Sequence, residues 1–364
     1  MTGEGRHAVL VSPDVSNAAG GVERMCALLA RVLEERGWRT TTVGPTAEPT
    51  QWQFRLALGP LVRSRSAARE VYAREPDLLV TNGYMGAGYG RGAHSDGSAG
   101  SASALHRVPR IHVYHGTSVG AVRAVGSTVT RRERIRHLIG HASAEALSAR
   151  GTSAVVCVSD SAAREARRFY RVRGARVIAN GIDTEVFSPQ PREQARERLE
   201  LTADGRYALF VGRLDEGKGA RLLTAACERT GYELLVAGRD AGAEAINLGV
   251  LAPKELAVAY SAADCVLFPS LYEACSYVVL EALACGVPLI TTRVGWMPTL
   301  LAAVPEYERM CVEPVLEQLV ERLRELERID TEPLSAAARA FVLEHNSLAA
   351  YAASWGELLE RRAA

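Results

Sequence analysis

The chain has 364 residues, 48% hydrophobic and 23% charged, a globular profile with length enough for two cores and unlike that of a disordered chain. Its 43 basic and 42 acidic residues nearly cancel to a formal net charge of +1, which argues against a strongly basic nucleic-acid binder. No run of about 18 apolar residues predicts a spanning helix, and the apolar run after His7 is too short for a signal peptide, so a cytoplasmic location is expected.

In chain order, His7-Ala-Val-Leu-Val-Ser12 reads as a buried strand, and Pro13 to Gly21 as a loop ending in Gly20-Gly21. Val22 to Arg36 shows helical spacing and stops at Gly37. Thr40–Val43 is the next strand, which makes a strand–helix–strand unit of an open parallel sheet. Further buried strands are expected at Leu78–Thr81, Ile111–Tyr114, Val155–Val158 and Val177-Ile178. Between them, residues 83–104 are rich in Gly and Ser and read as a mobile loop or as disorder. Arg131-Arg-Glu-Arg-Ile-Arg136-His lies on an expected helix.

The pattern then repeats. Ala208–Val211 is a strand followed by a Gly-rich loop and a helix from about Ala220. Glu233–Ala237, Cys265–Phe268 and Pro288–Thr291 are further strands. The tail from Ser335 to Arg362 reads as helical, with Phe341, Tyr351 and Trp355 available for packing. Strands alternating with helices on both sides of a junction imply an α/β protein of two doubly wound Rossmann-like domains. The expected boundaries are a first domain 1–183, a linker 184–205, a second domain 206–334, and a C-terminal helix 335–364 packing back toward the first domain.

The charge balance conceals a split. Residues 1–180 carry 25 basic and 14 acidic side chains, and residues 181–364 carry 18 basic and 28 acidic. Nearly all basic residues are arginine; Lys218 and Lys254 are the only lysines, so a lysine kept against that usage invites a reason. The seven cysteines form no Cys-x-x-Cys pair and sit mostly in apolar runs, as expected for small core residues in a reducing compartment.

Three motifs carry chemistry. Pro269-Ser-Leu-Tyr-Glu273-Ala-Cys-Ser276-Tyr277-Val278-Val-Leu-Glu281 places two glutamates eight residues apart, the first at a loop mouth and the second inside a helix starting near Ser276. Eight helical residues rise about 12 Å. Two carboxylates so spaced suit the hydroxyl-rich ends of a diphosphate-linked molecule, with the helix N-terminus toward the phosphates. Val211-Gly-Arg213-Leu-Asp-Glu-Gly-Lys218-Gly219 puts two cations in a Gly-flanked loop after a strand, which suits phosphate oxygens. Asn180-Gly-Ile-Asp183 with Phe187 is a turn signal. Taken singly, each has a plainer reading: solvated helix glutamates, a charged turn, an ordinary turn.

In order along the chain, the Gly20-Gly21-Val-Glu-Arg loop, Asn180-Gly-Ile-Asp183, the Arg213–Lys218 loop and the Glu273–Glu281 pair resemble the retaining GT-B glycosyltransferases of the GT4-like family, glycosyl transferase group 1. The resemblance covers nearly the whole chain and is most specific from 180 to 292. It implies two Rossmann-like domains facing a central cleft, a nucleotide-sugar donor held mainly by the second and an acceptor by the first. It also implies catalysis with no metal and no cofactor; the sequence has no Asp-x-Asp. Residue by residue, Arg213 and Lys218 match the diphosphate contacts, Glu281 the ribose contact and Glu273 the carboxylate near the donor sugar. The same match gives Ser276, Tyr277 and Val278 at the donor helix, Gly20 and Gly21 near the phosphates, the Gly249-Val-Leu251 backbone at the base, and His115 at the donor sugar. The family's glycines after the first glutamate are replaced here by Ala274-Cys275-Ser276, which would reshape the sugar pocket.

The expected partners are thus a nucleotide-sugar donor and a small-molecule, glycan or lipid-linked acceptor, with no nucleic acid. The Arg131–Arg136 stretch reads as a solvated helix face or as a site of peripheral membrane contact. His112 and His115 have no third ligand nearby, so no metal is expected. Gly88-Tyr-Gly90-Arg-Gly-Ala93 fits a dinucleotide fingerprint only superficially, since no helix is expected after it. Alternatives to transfer are a GT-B epimerase or phosphorylase, a non-catalytic nucleotide-sugar-binding protein, and an NAD-dependent oxidoreductase. Arginine- and alanine-rich usage points to a high-GC bacterium, where natural-product and cell-envelope glycan pathways use such transferases.

Overall fold

The computed structural model describes residues 6–15, 20–89, 108–126, 130–214, 218–239 and 244–363. The chain divides into two compact units, Met1–Ala179 with Ser354–Ala364, and Asn180–Ala353.

In the first unit, β1 (His7–Val11), β2 (Arg39–Val43), β3 (Leu78–Asn82), β4 (Arg110–Tyr114), β5 (Ala154–Cys157) and β6 (Arg176–Val177) form one parallel sheet in the order β2-β1-β3-β4-β5-β6. β1, β3 and β4 are buried along their whole length, as strands covered by helices on both faces must be. The helix Gly21–Glu34 turns Met25, Cys26, Leu29, Val32 and Leu33 inward, so the spacing seen in the sequence is its core face. The Gly/Ser-rich stretch is corrected in its first part: Gly83–Tyr89 is a packed 3-10 turn, not a mobile loop. Its glycines allow that packing, because a Cβ on Gly88 would lie 2.5 Å from the Ser64 carbonyl oxygen. Ser64 Oγ donates to Met85 O at 2.7 Å, and buried Arg110 donates to Gly86 O at 3.1 Å. Residues 90–104, including Gly90–Ala93 of the fingerprint, lie outside the described residues.

In the second unit, β7 (Tyr207–Val211), β8 (Glu233–Ala237), β9 (Ile246–Gly249), β10 (Cys265–Phe268) and β11 (Leu289–Thr291) form a second parallel sheet in the order β11-β10-β7-β8-β9. β9 is absent from the sequence expectations. It reads Ile-Asn-Leu-Gly, too short and polar for an apolar run, and joins β8 through an irregular register at Val236/Ala237.

The stretch 184–205 carries a helix, Arg192–Arg198, which belongs to the second unit. Its Ala195 packs on Val258 and Ala262, and Arg196 bonds Asp264 at 2.9 Å and Ala262 O at 3.0 Å. The tail is two helices, Glu332–Asn346 and Leu348–Ala363, separated at Ser347, whose backbone is extended. From Ser354 onward the last helix groups with the first unit. All seven cysteines are buried and unbridged, in keeping with their role as small core residues.

Candidate active site

In the second sheet the strand order reverses between β7 and β10, so the loops that follow those two strands flank a crevice at the sheet's C-terminal edge. Lys218 and Glu273 meet there. Lys218 Nζ lies 3.3 Å from Glu273 Oε1 and 5.0 Å from the centroid of the Phe268 ring. The side chains are 26% and 22% exposed, so the pair is neither solvated nor sealed. Gly219 sets the lysine's loop: it sits at φ +81 as the N-cap of the helix Ala220–Thr230, and a Cβ there would touch Pro269 at 3.0 Å. Arg213, just after β7, is exposed; Asp215–Gly217 of the same loop lie outside the described residues.

Distant residues fix the backbone that carries Glu273. Asn180 Nδ2 donates to Cys275 O at 2.8 Å, and Asn346 Nδ2 donates to Asn180 O at 3.0 Å. Thr292 Oγ1 donates to Ser270 O at 2.6 Å, and Ser270 Oγ to Glu273 Oε1 at 3.3 Å. Gly295, at φ +61, lies so close that a Cβ would stand 2.5 Å from the carbonyl oxygens of both Glu273 and Ala274. The Asn180-Gly181 pair therefore does more than turn the chain. Asn180 buttresses the glutamate loop, and Gly181 allows close packing, since a Cβ would lie 2.6 Å from Tyr351 Cβ.

The helix after this loop runs Tyr277–Ala284 with Ser276 as N-cap. The first-turn amides, including those of Tyr277 and Val278, have no partner within the helix and present a partial positive charge. Glu281 is 1% exposed, and its Oε2 accepts a hydrogen bond from Tyr260 Oη at 2.9 Å. Tyr260 packs edge-on to Phe187 at 6.2 Å, so the Asn180–Phe187 motif reaches both glutamates, one through Asn180 and the other through Phe187. Asp183 holds that segment by accepting from the amides of Glu185 and Val186, each at 3.1 Å. At the end of β9, Gly249 is at φ +69, with its amide bonded to Asn247 Oδ1 at 2.9 Å and Val250 and Leu251 following. Tyr260, Gly295, Asn346 and Thr292 are absent from the sequence reading, because their link to the glutamates comes only from the fold.

In the first unit the order reverses between β1 and β3. Gly20 is the N-cap of the helix Gly21–Glu34 that follows β1. Asn82, at the end of β3, is fully buried and donates from Nδ2 to Val11 O at 2.9 Å. A carbonyl can only accept, so the amide oxygen of Asn82 faces His115 Nε2, 2.9 Å away at the end of β4. His115 therefore carries its hydrogen on Nε2 and keeps Nδ1 as an acceptor. Desolvation pushes its pKa down to about 4, so the ring is neutral near pH 7. His112 is a core residue: it is fully buried, bonded through Nδ1 to Thr81 Oγ1 at 2.9 Å and edge-on to Tyr114.

Two family models match the chain. The model for glycosyltransferase family 4 matches residues 19–186, and that for glycosyl transferases group 1 matches residues 191–340. Among curated proteins, the D-inositol 3-phosphate glycosyltransferase of Mycobacteroides abscessus is 34% identical over 146 residues, 35% of this chain and 33% of that protein. The chain thus matches about a third of the length of the curated relatives. Among solved structures, sucrose-phosphate synthase from Thermosynechococcus elongatus superposes with a TM-score of 0.77 at 22% identity over 98% of both chains. Anabaena HepE in complex with UDP and glucose gives 0.68 at 17% identity over 98% of this chain and 100% of that one. Two parallel Rossmann-like sheets, these neighbours and the two adjoining family matches agree: the chain has the GT-B fold and belongs to the group 1 glycosyltransferases of family 4.

Proposed function

We propose that this chain transfers a sugar from a nucleoside diphosphate to an acceptor hydroxyl, with retention of anomeric configuration and without a metal. The observation that carries the proposal is the Lys218–Glu273 pair at the switch point of the second sheet. A lysine and a carboxylate held together there offer a cation for a diphosphate and an acceptor for sugar hydroxyls. Family membership and the likeness to a fold that holds UDP and glucose in HepE support the same reading.

On this reading the acceptor oxygen attacks the anomeric carbon as the carbon–oxygen bond to the diphosphate breaks. The acceptor proton passes to a phosphate oxygen on the same face, which accounts for retention. Negative charge grows on the leaving diphosphate, where Arg213, Lys218 and the first-turn amides of Ala220–Thr230 and Tyr277–Ala284 take it up. Such preorganised charge is usually the largest catalytic term. These groups supply the countercharge that a metal would otherwise give. Glu273 accepts from sugar hydroxyls once Lys218 turns to the phosphate. Neutral His115 offers Nδ1 to a sugar hydroxyl. Glu281 takes the ribose hydroxyls, with Tyr260 fixing its rotamer; at 1% exposure this contact requires the covering side chains to part. The base lies on the backbone at Gly249–Leu251, and Gly20 and Gly21 approach the phosphates.

The test is a panel of nucleotide sugars assayed for nucleoside diphosphate release with pooled sugar, inositol and lipid acceptors, beside thermal shifts with the free nucleotides. Acceptor-dependent release and a stabilising nucleotide support transfer. Interconversion of the donor sugar without acceptor would instead identify an epimerase, and nucleotide binding without turnover a binding protein.

A further inference from the structure

Two segments of the first unit, remote in sequence, meet in an exposed apolar surface. The helix Gln51–Arg55 buries none of its residues. Trp52 and Leu56, a turn apart, are 58% and 61% exposed, and Phe54 is exposed beside them. The second segment runs from the helix Arg131–Arg136 into a π-turn, His137–His141, where Ile135, Leu138 and Ile139 are all exposed. The guanidinium of Arg136 lies 4.3 Å from the centroid of the Phe54 ring. Gly140 lets the backbones close, since a Cβ there would lie 2.4 Å from Ala57 O, and Ala57 itself is held at φ 60. The helix Gln51–Arg55 buries none of its own side chains; Arg136 against Phe54 and the Gly140–Ala57 approach tie this segment to the second one.

A solvated helix face would carry polar residues at 135, 138 and 139. Instead, branched aliphatic side chains at i, i+3 and i+4 stand among arginines, and exposed apolar groups clustered in this way mark a binding surface. Arg131, Arg132 and Arg134 are exposed, as is Arg55. Glu133, the one acid of the second helix, caps it through Thr130, and its single negative charge is outnumbered by these four exposed arginines. Residues 1–180 carry 25 basic against 14 acidic side chains, so the surrounding field has the same sign.

We propose that this surface docks the protein on a lipid bilayer carrying anionic headgroups. Trp52, Leu56, Ile135 and Ile139 enter the interface, where an indole and short aliphatic chains partition well, and the arginines stay at the phosphates. A second copy is a poor occupant, because a two-fold contact would set the arginines against each other. Docking needs no donor sugar, so its outcome is separate from that of the transfer reading.

The experiment is co-sedimentation of the full chain with vesicles of phosphatidylcholine, with and without phosphatidylglycerol. Binding should rise at least about tenfold with the anionic lipid and fall at high salt. Trp fluorescence should shift to the blue on binding, and Trp52→Phe should remove the larger part of that shift. The Trp52→Ser/Leu56→Ser/Ile139→Ser variant and the Arg131→Glu/Arg132→Glu variant should each lower binding about tenfold or more, with melting temperatures near that of the parent. The second variant changes only exposed charges, so it decides the matter if the first folds poorly. Equal binding to neutral vesicles, or binding that both variants retain, overturns the proposal. So does a dimer in light scattering that the serine variant converts to monomer, which would make the surface an interface between copies.

Discussion

Lys218 Nζ and Glu273 Oε1 stand 3.3 Å apart at the ends of loops that follow adjacent strands β7 and β10. The contact spans the point where the strand order of the second sheet reverses, which makes it the centre of the proposed donor site. A partly exposed pair of this kind contributes only about 0–1 kcal/mol to folding, so its value lies in function. Lys218→Ala should therefore lower transfer about 10²–10³-fold, the usual cost of losing one donor aimed at developing charge, while the unfolding midpoint barely moves. Parallel steady-state kinetics and thermal melts measure this; near-normal turnover by the folded variant would remove Lys218 from the mechanism.

Gly295 sets the position of Glu273 through the backbone of the glutamate loop. Its φ of +61 and the 2.5 Å approach of a Cβ to two carbonyl oxygens leave no room for a side chain. Gly295→Ala should cost about 1–3 kcal/mol in strain and lower kcat more than it raises the donor KM. A variant with parental kcat would show that the glutamate loop tolerates displacement.

Tyr260→Phe removes the 2.9 Å hydrogen bond to buried Glu281 Oε2. Losing a hydrogen bond to a buried carboxylate should destabilise the second unit by about 1–3 kcal/mol, read in urea unfolding. If Glu281 holds the ribose, the donor KM should rise as well, whereas unchanged KM with lowered stability would confine the pair to the core.

Histidines give the fold an acid limit. Desolvation pushes His115 and His141 down to about 4 and His112 well below its ordinary value. Each is neutral in the folded chain where the unfolded chain, with pKa near 6.5, already binds a proton. Their contribution is complete above pH 6.5 and is lost as pH falls from there toward 4. Between pH 6.5 and 5, above the usual carboxylate range, stability should drop by about 2 kcal/mol or more. His141→Gln should flatten that slope; a level profile over the window would contradict the buried neutral rings.

Much of this was legible in the sequence, for physical reasons that differ by element. Parallel strands covered on both faces must be continuous apolar runs, and β1, β3, β7 and β10 are such runs. β9 has two apolar residues and a register shift, so no local pattern marks it. The glycine-rich start of the 83–104 stretch shows the opposite error, since glycine serves close packing there rather than mobility. Of the site, the charged residues themselves stood out by spacing and scarcity. Their supports, Asn346, Tyr260 and Gly295, act across long sequence separations and become visible only when the sheet brings them together.

The most direct measurement follows the anomeric proton of the product by NMR, with nucleoside diphosphate release counted in parallel, in chelator and for Lys218→Ala. The expected result is one nucleoside diphosphate released per sugar transferred, an α-linked donor giving an α-linked product, turnover unaffected by chelator, and loss of turnover in the variant. An inverted product, turnover abolished by chelator and restored by a divalent cation, or a fully active Lys218→Ala chain would contradict it.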